Sequence, residues 1–397
     1  MCRVSSTGAN DLAIKPINQS STRRVAGRVA GRKFWRKIHL YIALTVGFMF
    51  AFSGLTGSLL VFYQDIDEYL NPELLTVELG NDYAPLSDII AVAQASMPGE
   101  SNLQRVYFPR HVQAAIKLRF SSIKVVKGDW VEVMINPYTG EILGQREYGS
   151  YLMSFLYKLH YTLLSGDTGK SIIGGMGLLL LTSLLSGLYL WWPRLSKLFQ
   201  ALSFKRSISQ FRFIYDLHKT LGIYISIVVI AIAFSGVYMI FPNYVKPLVA
   251  LAFPLAEIAA MPSSISAEAK DIKSGIDEIS KTAHDLFPQA KLQRIHFSTS
   301  VDGTYQFIMR QPGEIRKTSG STQLWISSHN GEVVAIQKPQ SMSTGDTFIN
   351  WMFPLHNGEA FGLAGRIVVF VAGICLIILY ITGLMVWWRK SQAKGGS

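Results

Sequence analysis

Four of the eight histidines stand in matched settings. His39 closes the stretch KFWRKIH and His218 closes RFIYDLH. In both, a base lies six residues ahead of the imidazole and a phenylalanine five ahead. His160 and His356 each follow a leucine, and each is followed ten residues later by a base, Lys170 or Arg366. All four lie near an end of a long apolar run, where a titratable side chain is costly. One reading is a polar residue at a helix end, kept in both copies by common ancestry. The other is ligation, with imidazoles brought face to face across a helix bundle to hold a cofactor between them. His111, His284, His296 and His329 have no histidine counterpart and read as solvated, the default for this residue.

The elements that must position the four histidines are apolar runs at roughly 40–62, 171–192, 221–241 and 367–388. Each is close to the ~20 residues that cross ~30 Å of hydrocarbon. Charge sets their orientation. Residues 1–38 are strongly basic, with Asp11 as the one acid among them. The 193–217 connection and the tail with Arg389, Lys390 and Lys394 are basic as well. The positive-inside rule puts these segments in the cytoplasm and the acid-bearing connections near 64–170 and 242–365 outside. The net charge of +12 follows from that orientation and asks for no nucleic-acid partner. The first run reads as a retained span rather than a cleavable signal. Cys2 and Cys375 fall in different compartments, so no disulfide is expected.

The two outer connections carry similar patterns. In the first, Ser87–Met97 reads as a helix, and Leu103–Phe108, Ala114–Phe120 and Trp130–Ile135 alternate as strands do. Asn136–Gly144 is a turn between strands. In the second, Lys281–Phe287 ends a helix, LQRI echoes LQRV, and HNGEVV echoes YTGEIL. The spacings repeat. His39 to Gly57 and His218 to Gly236 both span 18 residues; His160 to Gly187 and His356 to Gly383 both span 27. Both halves run span, outer domain, span in one orientation, which predicts parallel repeats about a pseudo-two-fold axis along the membrane normal. That axis pairs His39 with His218 on the inner side and His160 with His356 on the outer side.

These features resemble the PepSY-associated transmembrane helix family over about residues 30–390. The match rests on the two His-led spans, the TGEIL and NGEVV turns, and the two Leu-His segments before spans ending in Trp-Trp. The resemblance implies an α-helical membrane bundle of four transmembrane helices with two α+β PepSY-like periplasmic domains. The expected divisions are a cytoplasmic basic segment 1–32, span 33–63, periplasmic domain 64–150, interfacial segment and span 151–193, and cytoplasmic loop 194–211. Span 212–242, periplasmic domain 243–345, interfacial segment and span 346–389, and cytoplasmic tail 390–397 follow. Members of the family include ferric-siderophore reductases carrying haem b, so the resemblance implies two haem b groups. Each would have two axial imidazoles, His39 with His218 and His160 with His356, a ligation suited to electron transfer. Lys33 and Arg212 on the inner side, and Lys170 and Arg366 on the outer, are candidates to face the haem propionates.

The implied function is reduction of a periplasmic ferric siderophore at the bacterial inner membrane, with electrons from a quinol or a cytoplasmic reductase. A non-catalytic PepSY-type regulatory protein and an iron-siderophore permease are the alternatives. CxxCH, GxGxxG, Walker and zinc-type Cys/His spacings are absent, so no haem c, flavin or nucleotide domain is expected.

Overall fold

A computed structural model describes residues 19–99, 101–121, 130–203, 209–256, 275–297, 303–328 and 330–395. His329 and residues 1–18 lie outside them. The first half contains α1 (Gln19–Val61), α2 (Tyr63–Leu70), α3 (Pro72–Leu75) and α4 (Leu86–Ala95). Strands β1 (Asn102–Tyr107), β2 (Ile116–Ser121), β3 (Trp130–Ile135) and β4 (Ile142–Glu147) follow, then α5 (Leu152–Thr162) and α6 (Gly166–Trp191). The connector includes α7 (Leu198–Leu202). The second half contains α8 (Gln210–Ile240), α9 (Pro242–Ala250), α10 (Ile276–Leu286), β5 (Lys291–His296), β6 (Thr304–Arg310), β7 (Thr322–Ser327) and β8 (Val333–Gln337). It closes with α11 (Thr344–Asn350), α12 (Met352–Asn357) and α13 (Gly362–Gly395).

Helices α1, α6, α8 and α13 are the four long and apolar enough to cross a membrane. They form a closed ring, with α1 and α8 each packed against both α6 and α13. Small residues set the close approaches. A Cβ at Gly54 of α1 would lie 2.7 Å from the carbonyl oxygen of Gly373 on α13. Backbones that close leave little beside the contact but packing and weak polar contacts, as membrane helix pairs commonly require. The N-terminal stretch 19–32 continues α1 as helix, since no proline falls between Gln19 and Val61 to end it.

Outside the bundle the eight strands form one antiparallel sheet in the order β4-β3-β2-β1-β5-β6-β7-β8. The two α+β units are thus joined edge to edge. At the seam Val106 pairs with Ile295, Arg105 with His296, and Tyr107 with Arg294. The pairing is reciprocal: Phe108 N donates to Gln293 O at 3.0 Å, and Phe297 N donates to Gln104 O at 2.9 Å. Joining the units buries two strand edges that would otherwise invite foreign pairing. One sheet face packs against α4 and α10 in a single core with Leu118, Phe120, Ile295, Phe307 and Leu324 fully buried. Asp277 of α10 accepts from the backbone N–H of Leu86 at 2.8 Å, so the second unit caps the first turn of α4. The opposite face carries Arg105, Lys117, Arg119, Glu132, Arg146 and Arg294 and turns toward α5, where Tyr151 at the helix start donates to Glu132 at 2.9 Å.

Candidate functional site

Each spanning helix contains one Ser-Gly or Thr-Gly pair that receives a histidine from another helix. His39 of α1 leans on Ser186-Gly187 of α6, and His218 of α8 on Thr382-Gly383 of α13. His160 of α5 leans on Thr56-Gly57 of α1, and His356 of α12 on Ser235-Gly236 of α8. The glycine is needed because the ring edge lies on it. A Cβ at Gly57, Gly187, Gly236 or Gly383 would stand 3.0, 3.3, 3.1 or 3.1 Å from the histidine Cε1.

The hydroxyl residue and the helix backbone fix the imidazole tautomer. His39 Nδ1 lies 2.9 Å from Ser183 O, His218 Nδ1 3.1 Å from Leu379 O, and His356 Nδ1 2.9 Å from Ile232 O. A carbonyl only accepts, so Nδ1 carries the proton in these three. His160 Nδ1 lies 3.0 Å from Thr56 Oγ1. That hydroxyl's own hydrogen points to the carbonyl of Phe52 or Ser53, each 3.1 Å away, so it too accepts from the ring. The other three hydroxyls also donate one helical turn back and have a lone pair to offer. With Nδ1 protonated, every Nε2 presents a bare lone pair, and no hydrogen bond reaches one of these Nε2 atoms among the described residues. A hydrogen bond of this kind from Nδ1 orients a metal-binding histidine and raises the basicity of its Nε2.

The rings are paired. The centroids of His160 and His356 are 6.2 Å apart with planes inclined at 59°. A metal–imidazole bond is about 2 Å, so an atom midway between two such rings sets the centroids on the order of 6 Å apart. His39 and His218 lie close enough to interact electrostatically at the other end of the bundle. Gly57 lies 18 residues after His39 on α1, so the two pairs stand roughly 27 Å apart along the helix. Within that interval of α1 the exposed Phe48 has its ring centroid 6.3 Å from those of both Phe52 and Tyr380. Beside His160, Met49, Phe52, Ser53, Leu163, Ile173 and Met176 line a narrow apolar crevice with no room for a water molecule. The tight corner after His160 forces Leu163 and Leu164 to positive φ, 48° and 57°. Side chains pay for that conformation, as they often do beside functional sites.

The four candidate cations are placed as follows. Lys33 is exposed. Arg212 pairs with Asp216 at 3.1 Å. Lys170 pairs with Asp167 at 3.2 Å and lies over the Tyr161 ring. Arg366 donates to Val61 O at the end of α1 at 2.9 Å, pairs with Asp65, and stacks on Phe62. Asp216 lies in α8 and is only 1% exposed, held by Arg212 and Lys219. His296 is not the solvated side chain expected. Its Nε2 is buried with no partner, and burial first, then the Arg105, Arg294 and Arg119 charges, push its pKa down to about 3.

Four apolar helices long enough to cross a membrane, closed into a ring under an α+β cap, define a multi-pass membrane protein. The family model of the PepSY-associated TM region matches residues 36–390, and the chain belongs to that family. No curated protein matches the chain.

Proposed function

We propose that the protein is a haem-b-dependent electron carrier of the bacterial inner membrane that reduces a ferric chelate, a ferric siderophore, on the periplasmic side. In this reading the basic ends lie in the cytoplasm, the sheet lies outside, and the two halves are related by a pseudo-two-fold axis along the membrane normal. The equivalent histidine contacts and the reciprocal β1–β5 seam support the axis. The observation that carries the reading is the pairing of imidazoles with Nδ1 committed to carbonyl or hydroxyl oxygen and Nε2 bare, His160 and His356 being 6.2 Å apart.

The residues fit two bis-imidazole haems. His39 and His218 would hold the inner one, and His160 and His356 the outer. Haem so ligated supplies a one-electron couple with no open position for oxygen chemistry. The Ser/Thr-Gly pairs keep each ring in one tautomer and one orientation, and the apolar bundle excludes water between the two sites. One electron enters from a quinol or a cytoplasmic reductase and leaves to ferric iron, which becomes ferrous. Hard oxygen ligands hold ferrous iron less well than ferric, so the reduced complex is loosened.

The test is an optical spectrum of the purified protein, oxidised and reduced, with the haem-to-chain ratio. Two low-spin haems are expected. His39→Ala or His218→Ala should abolish the low-spin signature of one, and His160→Ala or His356→Ala that of the other. Each variant should stop reduction of an external ferric chelate, with His284→Ala as control. Protein purified without haem under haem-replete expression would overturn the reading in favour of a non-catalytic PepSY-type protein.

A further inference from the structure

The sheet face turned toward α5 carries a patch of charge that the fold does not neutralise. Across β2, β1 and β5, Arg119, Arg105 and His296 stand side by side in one row, and Lys117, Tyr107 and Arg294 in the next. Arg105 directly opposes Arg119, a like-charge cross-strand pair that destabilises a sheet unless something offsets it. Glu132 is the acid of this patch and is already shared by Lys117, Arg119 and Arg146. Arg105 and Arg294 have no carboxylate within ion-pair distance among the described residues. Arg119 Nε, Arg294 Nε and His296 Nε2 are buried without a hydrogen-bond partner, and Arg119 is only 7% exposed.

The charges are not a requirement of the sheet. Where Arg119 pairs with Glu132 in β2–β3, the other half pairs Ile308 with Gln323 in β6–β7. Where Tyr107 meets Lys117, it pairs His296 with Gln306. The same architecture is thus built in the second half with few of these charges. Aromatic rings wall the patch: Arg119 lies over Tyr148, Trp130 and Tyr107 at 4.4, 4.7 and 5.2 Å. Tyr157 of α5 lies within electrostatic reach of Arg105, Arg119 and Tyr107. It precedes His160 by three residues, roughly 4.5 Å along the helix axis.

We infer that this face is an anion-binding site for a carboxylate-bearing ferric chelate, gripped by Arg105, Arg119 and Arg294 on the side of the sheet that faces α5, the helix carrying His160. Guanidinium groups suit the role because their planar forks take carboxylates two bonds at a time. The inference rests on the ferric-chelate reading above. The carboxylates of an outer haem share the same chemistry, and the experiment separates the two sources.

Gallium(III) citrate, which is not reduced, is titrated into the full-length haem-loaded protein in detergent by calorimetry. Arg294→Gln and Arg105→Gln should each weaken binding by at least about tenfold, since charged hydrogen bonds carry this much. A gallium trihydroxamate without free carboxylates should bind independently of both. Arg294→Lys, which keeps the charge and the packing, should fall between. Unchanged citrate affinity in Arg294→Gln and Arg105→Gln overturns the site. So does a loss of haem or a shift in the outer potential with citrate affinity intact, which would assign the arginines to haem propionates. Arginine-dependent gallium citrate binding without reduction of ferric citrate would uphold the site and refute the reductase reading.

Discussion

A methyl group on Gly57 would press on the His160 ring at 3.0 Å, and a larger side chain would displace it. On the haem reading, Gly57→Val should therefore abolish the low-spin signature of the outer haem and spare the inner one, leaving about one haem per chain. Gly222→Ala is the control, because a Cβ there meets only Leu379 at an ordinary 3.7 Å. Two intact haems in Gly57→Val would mean that the imidazole does not ligate from this seat. Ser186→Ala removes one acceptor of His39 Nδ1 and leaves the Ser183 carbonyl. Retention of the inner haem should weaken roughly tenfold, at the lower end for an orienting partner, as measured by transfer to apomyoglobin. The histidines themselves were legible in the sequence because their settings repeat. Their seats were not. Gly57 and Gly187 were visible as small residues at fixed distances, yet His39 sits on Gly187 and His160 on Gly57, and nothing in the spacing says which helix faces which.

Among the elements, β3 is the one whose charge the fold depends on. Burial alone would push the Glu132 carboxyl up, but the Lys117, Arg119 and Arg146 charges outweigh it and hold the group at about 2. A carboxylate depressed below its ordinary value of 4.5 gives its full stabilisation above that pH. That contribution is lost progressively as pH falls from there toward 2. Glu132→Gln should lack this acid-dependent component. At neutral pH it should cost roughly 3–5 kcal/mol, the usual consequence of leaving buried cations unpaired. Thermal unfolding of wild type and variant between pH 7 and pH 2.5 decides it; parallel pH profiles would remove Glu132 from the account. The strands were legible from their alternation, and β3 spans Trp130–Ile135 as expected. The basic patch was not, since Arg105, Arg119 and Arg294 come from three strands and meet only through the seam.

For the whole molecule, the basic ends and the 193–217 connection predict an orientation with those segments in the cytoplasm. In a background lacking Cys2 and Cys375, a cysteine placed at the exposed Glu141 should react with an impermeant maleimide in intact cells. One at the exposed Ser203 should react only after lysis. Labelling of Ser203 from outside would invert the topology and remove the periplasmic site with it. Four spans and two α+β units were readable from composition and period. Their union in one sheet was not, because an edge strand's partner leaves no mark on the chain beyond apolar alternation.

The borrowed seats of the histidines bear on how the protein is made. A chain enters the membrane from its N-terminus. His39 arrives early, but its acceptors Ser183 and Ser186 lie on a span synthesised much later, and those of His218 lie on the last span. His160 finds Thr56 waiting, yet its opposite ring, His356, precedes only the final helix. The outer pair is not complete until α12 has followed the first three spans, and the inner pair is not seated until α13 is in place. On the haem reading, loading is thus a step that follows insertion, and the ring of helices must stand in the bilayer first, held by packing at contacts such as Gly54–Gly373.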